Sequence, residues 1–368
     1  MGDERRLQSM RAQFPVTAER VYFGTGSFGP VSQIFANRRA TCLEEELRFG
    51  RNAKGRYERS AEARKRLRSE LASVVHAAPN EIALTQSTSD GLAAVLDGFP
   101  WEPGDEVICT QHEHPALLRP LEGLERRGRV TLRRAEAPLE GAENLIWLSR
   151  CLTPRTKLIA FSGTTFTLGS RLPIGAIATL AREHGVYTLL DGAQSVAAMP
   201  LDLDASGVDF CAMPLQKWLC GPEGLGALYV RRGRFDSLRA DRVTRSWDVF
   251  EAAADHLQWL RTHAGWAWIV ERSVALAAYA RRALAGLEHA RVLTPGSHAG
   301  LVTFGCGDVD VDALAAKLER RGFVFRTMTE LGALRVSTAF FNTKDEIDAL
   351  IAAIDATAAD VRRASPAR

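Results

Sequence analysis

The alternation of short apolar, strand-like runs with helical stretches constrains this chain more than any other feature of its sequence. Strand-like runs at Glu81–Leu84, Glu106–Thr110, Val130–Arg133, Lys157–Ser162, Val186–Leu190, Val208–Met213 and Leu225–Val230 are separated by helical patterns such as Ser89–Gly98 and Ile174–His184. This rhythm predicts an α/β fold: a mostly parallel sheet covered by helices on both faces, with ligands at the carboxyl ends of the strands. After Arg231 the pattern changes to a long helical region through Trp266 and Ala280. It then gives way to Gly300–Phe304, Val311–Arg321, Ala333–Thr338 and Lys344–Ala359, which read as a separate α+β unit. A chain of 368 residues is too long for one ordinary core. We expect an arm over residues 1–20, a large domain over 21–285 and a small α+β domain over 286–368, with the polar stretch Thr294–Ser297 close to the division. The tail RRASPAR is expected to be disordered.

Composition removes several function classes. Against 47 lysines and arginines stand 44 acids, a formal net charge of +3 without long single-sign runs, so nothing calls for nucleic acid or an anionic membrane. The start MGDERRLQSM is charged where a secretory signal needs an apolar run, and no later stretch approaches membrane-spanning length. A cytoplasmic enzyme is the expectation. Cys42, Cys109, Cys151, Cys211, Cys220 and Cys306 are scattered, with no Cys-x-x-Cys pair, and read as reduced structural thiols.

Four segments carry chemistry. Lys217, in PLQKWLCGPEGLGALYV, follows one predicted strand and precedes a glycine-rich turn into the next, so it is positioned, although most lysines are merely solvated. The strand in VYTLLDGAQS ends on Asp191, with Gln194 three residues later, and presents a carboxylate at the sheet's carboxyl edge. Beside a pyridine nitrogen such a carboxylate keeps the ring protonated, and the pyridinium is an electron sink for a substrate carbanion; the alternative is an Asx turn before Gly192. In LTQSTSDGLAAVL, Ser87, Thr88 and Ser89 stand at a helix start, where N–H groups and hydroxyls receive a phosphate ester or form an ordinary N-cap. VICTQHEHPALL offers His112 and His114 around Glu113. With no third ligand in view, no metal is expected, and an imidazole lying flat on an aromatic cofactor competes with a polar loop histidine.

The order of these segments, together with TPRTKLIAFSGTTFTLGSRLPI and ALRVSTAFFNTKDEID, resembles class V aminotransferase-fold enzymes that use pyridoxal 5′-phosphate (PLP). That group includes cysteine desulfurases, cystine and cysteine-conjugate C–S lyases, and isopenicillin N epimerase-like proteins. The match spans roughly residues 20 to 345. It implies the PLP-dependent transferase fold (fold type I) and a homodimer. It makes Lys217 the Schiff-base lysine, Asp191 the partner of the pyridine nitrogen and Gln194 a donor to the ring hydroxyl. His114 would stack on the ring, Thr88 and the Ser87 backbone would hold the phosphate, and Arg335 would bind the substrate α-carboxylate with its bidentate fork. YFGTGSFGP resembles an arm that closes over the substrate, so Gly26 and Ser27 would line the pocket.

Departures from the family pattern narrow the activity. Desulfurases carry a serine and a histidine just before the lysine, where this chain has Pro214 and Gln216, so one phosphate donor is either missing or replaced by the Gln216 amide. Phe166 replaces an asparagine over the cofactor, as in the lyase and epimerase branches. Desulfurases also need a cysteine on a loop shortly before the carboxylate arginine. GFVFRTMTELGALR has none, and Cys306 is too far upstream. The tryptophans Trp247, Trp259, Trp266 and Trp268 read as core or dimer packing. The glycine–threonine pair by which a neighbouring subunit touches the phosphate is not evident.

The expected reaction is β-elimination on a cysteine whose sulfur carries another group, giving thiol, pyruvate and ammonia, with Lys217 as the base at Cα. The alternatives are an aminotransferase, an epimerase or a decarboxylating or oxidative deaminase acting on an amino-acid intermediate. A cysteine desulfurase and a non-catalytic binding protein rank lower. A nucleotide-binding Rossmann enzyme is disfavoured because no strand runs into Gly-x-Gly-x-x-Gly.

Overall fold

The computed structural model describes residues 2–135, 143–234, 248–307 and 309–364. Its strands are β1 (Val21–Tyr22), β2 (Ile82–Thr85), β3 (Glu106–Thr110), β4 (Thr131–Ala135), β5 (Thr156–Ser162), β6 (Tyr187–Asp191) and β7 (Phe210–Pro214). They continue as β8 (Gly226–Val230), β9 (Arg291–Val292), β10 (Leu301–Gly305), β11 (Phe323–Val324), β12 (Arg326–Met328) and β13 (Ala333–Ser337). The seven segments read as strands from the large-domain sequence are β2 to β8, which form one sheet in the order β2-β8-β7-β6-β5-β3-β4. β3, β4, β5, β6 and β7 pair in parallel, whereas β8 runs antiparallel to both β2 and β7. The reversal has a local cause. β7 returns to β8 through the loop 215–225, which holds no helix, whereas a parallel return is usually made through a crossover helix.

Both faces of this sheet are covered, as its apolar strands require. Along β3, Val107 and Cys109 face a core with Leu92, Val95 and Leu96 of helix Thr88–Gly98, while Ile108 joins Ile177 and Ala178 of helix Ile174–Glu183 on the other side. The second sheet, β12-β13-β10-β9, is antiparallel. Its core joins Val302, Phe304 and Val336 to Leu276 of helix Trp266–Ala285, Leu314 of helix Val311–Arg320 and Leu350 of helix Lys344–Ala364. Met10 and Phe14, from the first twenty residues, are buried in the principal core, and β1 pairs in parallel with β11.

One expectation needs correction: the last helix runs to Ala364, so the first three residues of RRASPAR are helical, because the pattern from Lys344 continues through Arg362 and Arg363 without a breaker. Residues 365–368 and Trp247 lie outside the described residues. Trp259, Trp266 and Trp268 pack, partly buried, against the principal core. No disulfide links the six cysteines. Among the described residues no helix is long and apolar enough to cross a membrane.

Candidate active site

Five strands of the large sheet deliver their following residues to one cavity of about 220 Å³. β2 leads to Ser87, Thr88 and Ser89; β3 to His114; β5 to Phe166; β6 to Asp191 and Gln194; β7 to Gln216 and Lys217. These strands share a direction, so their carboxyl ends lie along one edge, where a sheet of this kind receives ligands. Gly26, Ser27 and Phe28 close one side, and Arg326 and Arg335 reach in from the second sheet.

The lysine loop is held from several directions. The Cys220 N–H donates to Lys217 O at 2.9 Å, and the Gly221 N–H to Leu215 O at 2.8 Å. The arm residue Gly29 donates its N–H to Gln216 O at 2.6 Å, and a Cβ on Gly29 would stand 2.2 Å from Lys217 O, so only glycine lets the arm lie on this loop. The Gln194 amide ties the two together: its Nε2 donates to Gly26 O at 2.8 Å, while its Oε1 accepts from Trp218 Nε1 at 2.9 Å. One amide hydrogen of Gln194 is thereby engaged, and its second is left for a ligand. Burial pushes the Lys217 amine down to about 8, opposed by Asp191 and assisted by Arg335 and Arg326.

At the helix start beside the cavity, Ser87 is the N-cap, its Oγ accepting from Asp90 N–H at 3.1 Å. The hydroxyl oxygen is therefore engaged by the helix as an acceptor, while its O–H proton stays free to donate. The N–H groups of Thr88 and Ser89, which no intrahelical carbonyl can reach, remain at the cavity edge together with the Thr88 side chain. Gly226 of β8 permits this packing, since a Cβ there would stand 2.7 Å from the Ser87 carbonyl carbon.

Asp191 is 4 % exposed; its Oδ1 accepts from Ala193 N–H at 2.9 Å, and burial raises its carboxyl, opposed by that bond and by Lys217. His114 caps the helix Pro115–Arg126 with Nδ1, which accepts from Ala116 N–H at 3.1 Å. That bond places the ring proton on Nε2, and burial, then Lys217, Arg326, Arg335 and Arg119, push the imidazole down to about 4, so it is neutral. Its ring meets Phe166 edge to face, with centroids 4.8 Å apart and planes at 85°. A flat ligand lying on one of these rings therefore meets the edge of the other.

Arg335 is 1 % exposed, donates Nη1 to Phe166 O at 2.6 Å and Nη2 to Ser27 Oγ at 2.9 Å, and leaves Nε buried without a partner. Burial, with Arg326 adding to it, pushes the guanidinium down to about 9. The Gln216 Oε1 is likewise buried without a partner. The residues present fit PLP and an amino acid on these grounds: an amine, an unpaired buried acid, open N–H groups at a helix start and an unsatisfied guanidinium converge on one cavity.

Residues 43–240, over half of the chain, match the aminotransferase class-V family. The chain belongs to that family. This class-V enzyme is similar to a cysteine desulfurase of Serratia proteamaculans, with 26 % identity over a 400-residue alignment covering 95 % of this chain and 97 % of that protein. It is also similar to probable cysteine desulfurase 2 of Mycobacterium leprae, at 32 % over 243 residues, covering 61 % and 57 %. In fold it resembles the cystine C–S lyase C-DES in complex with its product cysteine persulfide, with a TM-score of 0.88, 24 % identity and coverage of 93 % and 99 %. A variant of that lyase carries glycine covalently linked to the PLP cofactor. The class-V chain is thus a PLP-dependent enzyme of fold type I.

Every residue singled out from sequence as catalytic, cofactor-binding or substrate-binding lines or borders this enzyme's cavity: Lys217, Asp191, His114, Ser87, Thr88, Gln194, Gln216, Arg335, Gly26, Ser27 and Phe166. Sequence reasoning missed Arg326, which is the register partner of Arg335 on the adjacent strand. The signal was present: GFVFRTM and ALRVS flank the turn TELG, and a hairpin read there would have set the two arginines side by side.

Proposed function

We propose that this enzyme cleaves the carbon–sulfur bond of an S-substituted cysteine, with Lys217 as its Schiff-base lysine, and that the sulfur substituent carries an acidic group. The observation that carries the reading is Arg335, a buried cation without a carboxylate partner among the described residues, in the same cavity as Lys217 and Asp191. Bound PLP would supply the imine carbon and the electron sink; the remaining tasks fall on the chain. Arg335 takes the α-carboxylate with its free Nε and remaining Nη hydrogens, while Phe166 O and Ser27 Oγ hold the guanidinium in place. Asp191 keeps a proton on the ring nitrogen, His114 and Phe166 fix the ring, and the Thr88 and Ser89 N–H groups with the Thr88 hydroxyl receive the phosphate.

The Lys217 amine, lowered to about 8, has an appreciable neutral fraction near pH 7 and removes the Cα proton. The electron pair left at Cα expels the β-sulfur, and a proton from the Lys217 ammonium or from water completes the thiol. Aminoacrylate is released and hydrolyses, so one conjugate and one water yield thiol, pyruvate and ammonia.

Carbon–sulfur cleavage is favoured over transamination, epimerisation or oxidative deamination by the names of the curated relatives. Elimination is favoured over persulfide formation because, among the described residues, no cysteine lines the cavity. The segment before Arg335 is β12 and a short turn, and Cys306 is 3 % exposed. The acidic substituent is read from Arg326, an exposed cation beside Arg335 with no ion-pair partner among the described residues. Like charges directly across a strand pair destabilise each other, and a second anion relieves them. A homodimer fits the exposed apolar side chains of Leu43, Leu47, Phe49 and Tyr57, and a further exposed aromatic, Phe28, lines the cavity.

The test is pyruvate release by the PLP-loaded enzyme from matched conjugates, S-carboxymethylcysteine against S-ethylcysteine, with alanine measured from free cysteine. Pyruvate with free thiol, faster from the acidic conjugate and levelled by Arg326→Gln, is the expected result. Alanine with sulfane sulfur from cysteine would establish a desulfurase instead, and neither product would refute C–S cleavage.

A further inference from the structure

Glu113 is a buried acid, 5 % exposed, that does not line the cavity and has no task in the mechanism above. It nevertheless connects two side chains given tasks at the cofactor ring, His114 and Asp191, and the inference rests on that placement of the ring. Glu113 immediately precedes His114. One of its carboxylate oxygens accepts from Thr110 Oγ, the last residue of β3, and the other accepts from Ser162 Oγ at 2.6 Å. Ser162 closes β5 and is the register partner of Asp191 at the end of β6. A single carboxyl group thus ties the His114 loop to the strand ends that aim Asp191. No salt bridge to Glu113 or Asp191 forms among the described residues. Two neighbouring buried acids are not equivalent, since the charge of Asp191 disfavours ionisation of Glu113.

We propose that Glu113 is a positioning residue for the cofactor ring, fixing His114 on one side and Asp191 on the other, and that it binds or releases a proton in step with the charge Asp191 presents to the ring nitrogen. Burial pushes its carboxyl up to about 7; the Ser162 and Thr110 hydroxyls oppose that rise, and Asp191 adds to it. The groups around it are His112 and His114 on its own loop, Cys109 on β3 and Asp191 on β6. Lys217, Arg326 and Arg335 line the cavity, and the charge of Asp191 acts on Glu113, while Glu113 in turn acts on Cys109. Below its midpoint Glu113 is neutral and Asp191 alone faces the ring. Above it a second negative charge strengthens the hold on the ring proton.

The experiment titrates the visible absorbance and circular dichroism of the PLP-loaded protein, comparing wild type with Glu113→Gln and Ser162→Ala. Wild type should show an inflection at about pH 7. Glu113→Gln, of equal size and always neutral, should bind PLP within about threefold of wild type but lose the inflection and alter the circular dichroism band. Its kcat should fall about tenfold with little change in KM, the size of one lost charge-assisted hydrogen bond. Ser162→Ala removes a hydrogen bond that lowers the carboxyl, so its inflection should move up by about one pH unit. Titrations and kcat that superimpose on wild type in Glu113→Gln overturn the proposal, and if that variant does not fold, an unmoved inflection in Ser162→Ala overturns it. A wild type without imine absorbance would overturn the placement of the cofactor itself, a failure distinct from a normal spectrum that Glu113 does not influence.

Discussion

Replacing Arg335 by glutamine should make the substrate-free protein more stable while damaging substrate capture. The guanidinium is 1 % exposed and has no carboxylate partner among the described residues, and burial lowers it by more than three pH units, to about 9. At about 1.4 kcal/mol per pH unit, holding that charge costs the empty protein roughly 4–5 kcal/mol. Against this stand its bonds to Phe166 O and Ser27 Oγ, together about 3 kcal/mol for charged donors. Glutamine keeps one donor near these acceptors, so a net stabilisation of about 1–2 kcal/mol is expected, read as a higher urea midpoint of the PLP-loaded, substrate-free protein at pH 7. The same change removes the anchor of the α-carboxylate, worth about 2–4 kcal/mol, so KM should rise about a hundredfold with kcat changed much less. A variant that is less stable than wild type and keeps its KM would refute both the unpaired charge and its role.

Three further outcomes follow from the same geometry. Lys217→Ala should abolish the imine absorbance and turnover yet melt cooperatively near the wild-type temperature; retained turnover in a pyruvate assay would remove Lys217 from the mechanism. Arg326→Gln should slow the acidic conjugate about tenfold, one charge-assisted hydrogen bond at an exposed site, and leave S-ethylcysteine unchanged; equal losses on both would dispose of the acidic-substituent reading. His256, fully buried between Ser32 Oγ and Leu219 O at 2.8 Å each, is pushed down to about 4 by burial. A depressed value contributes stability that is present above the unfolded value near 6.5 and is lost as pH falls through about 4, here roughly 3 kcal/mol. His256→Gln should lack that part of the acid loss in urea titrations at pH 7 and pH 4. Glu113, raised in the folded state, acts in the opposite sense in both proteins and cancels in the comparison.

The sequence by itself determined the large sheet and the roster of side chains along its edge. Strands β2 to β8 were legible because burial on both faces forces near-continuous apolar runs, bounded by the polar and glycine residues that leave the sheet. Lys217, Asp191 and His114 were legible because each stands just past such a run, and a parallel sheet sends those exits to one edge.

Only the tertiary structure decided what each group is free to do. Ser87 accepts a bond from its own helix and keeps its O–H to donate, Gln194 keeps one amide hydrogen after joining the arm to the lysine loop, and Glu113 proves buried between Thr110 and Ser162. Arg326 entered the cavity through strand pairing nine residues away in sequence, and Gly29 met the Lys217 loop from far off in the chain. Local periodicity records which face of an element is buried. The hydrogen-bond partners and the charges left unpaired depend on contacts between distant segments, which no local pattern encodes.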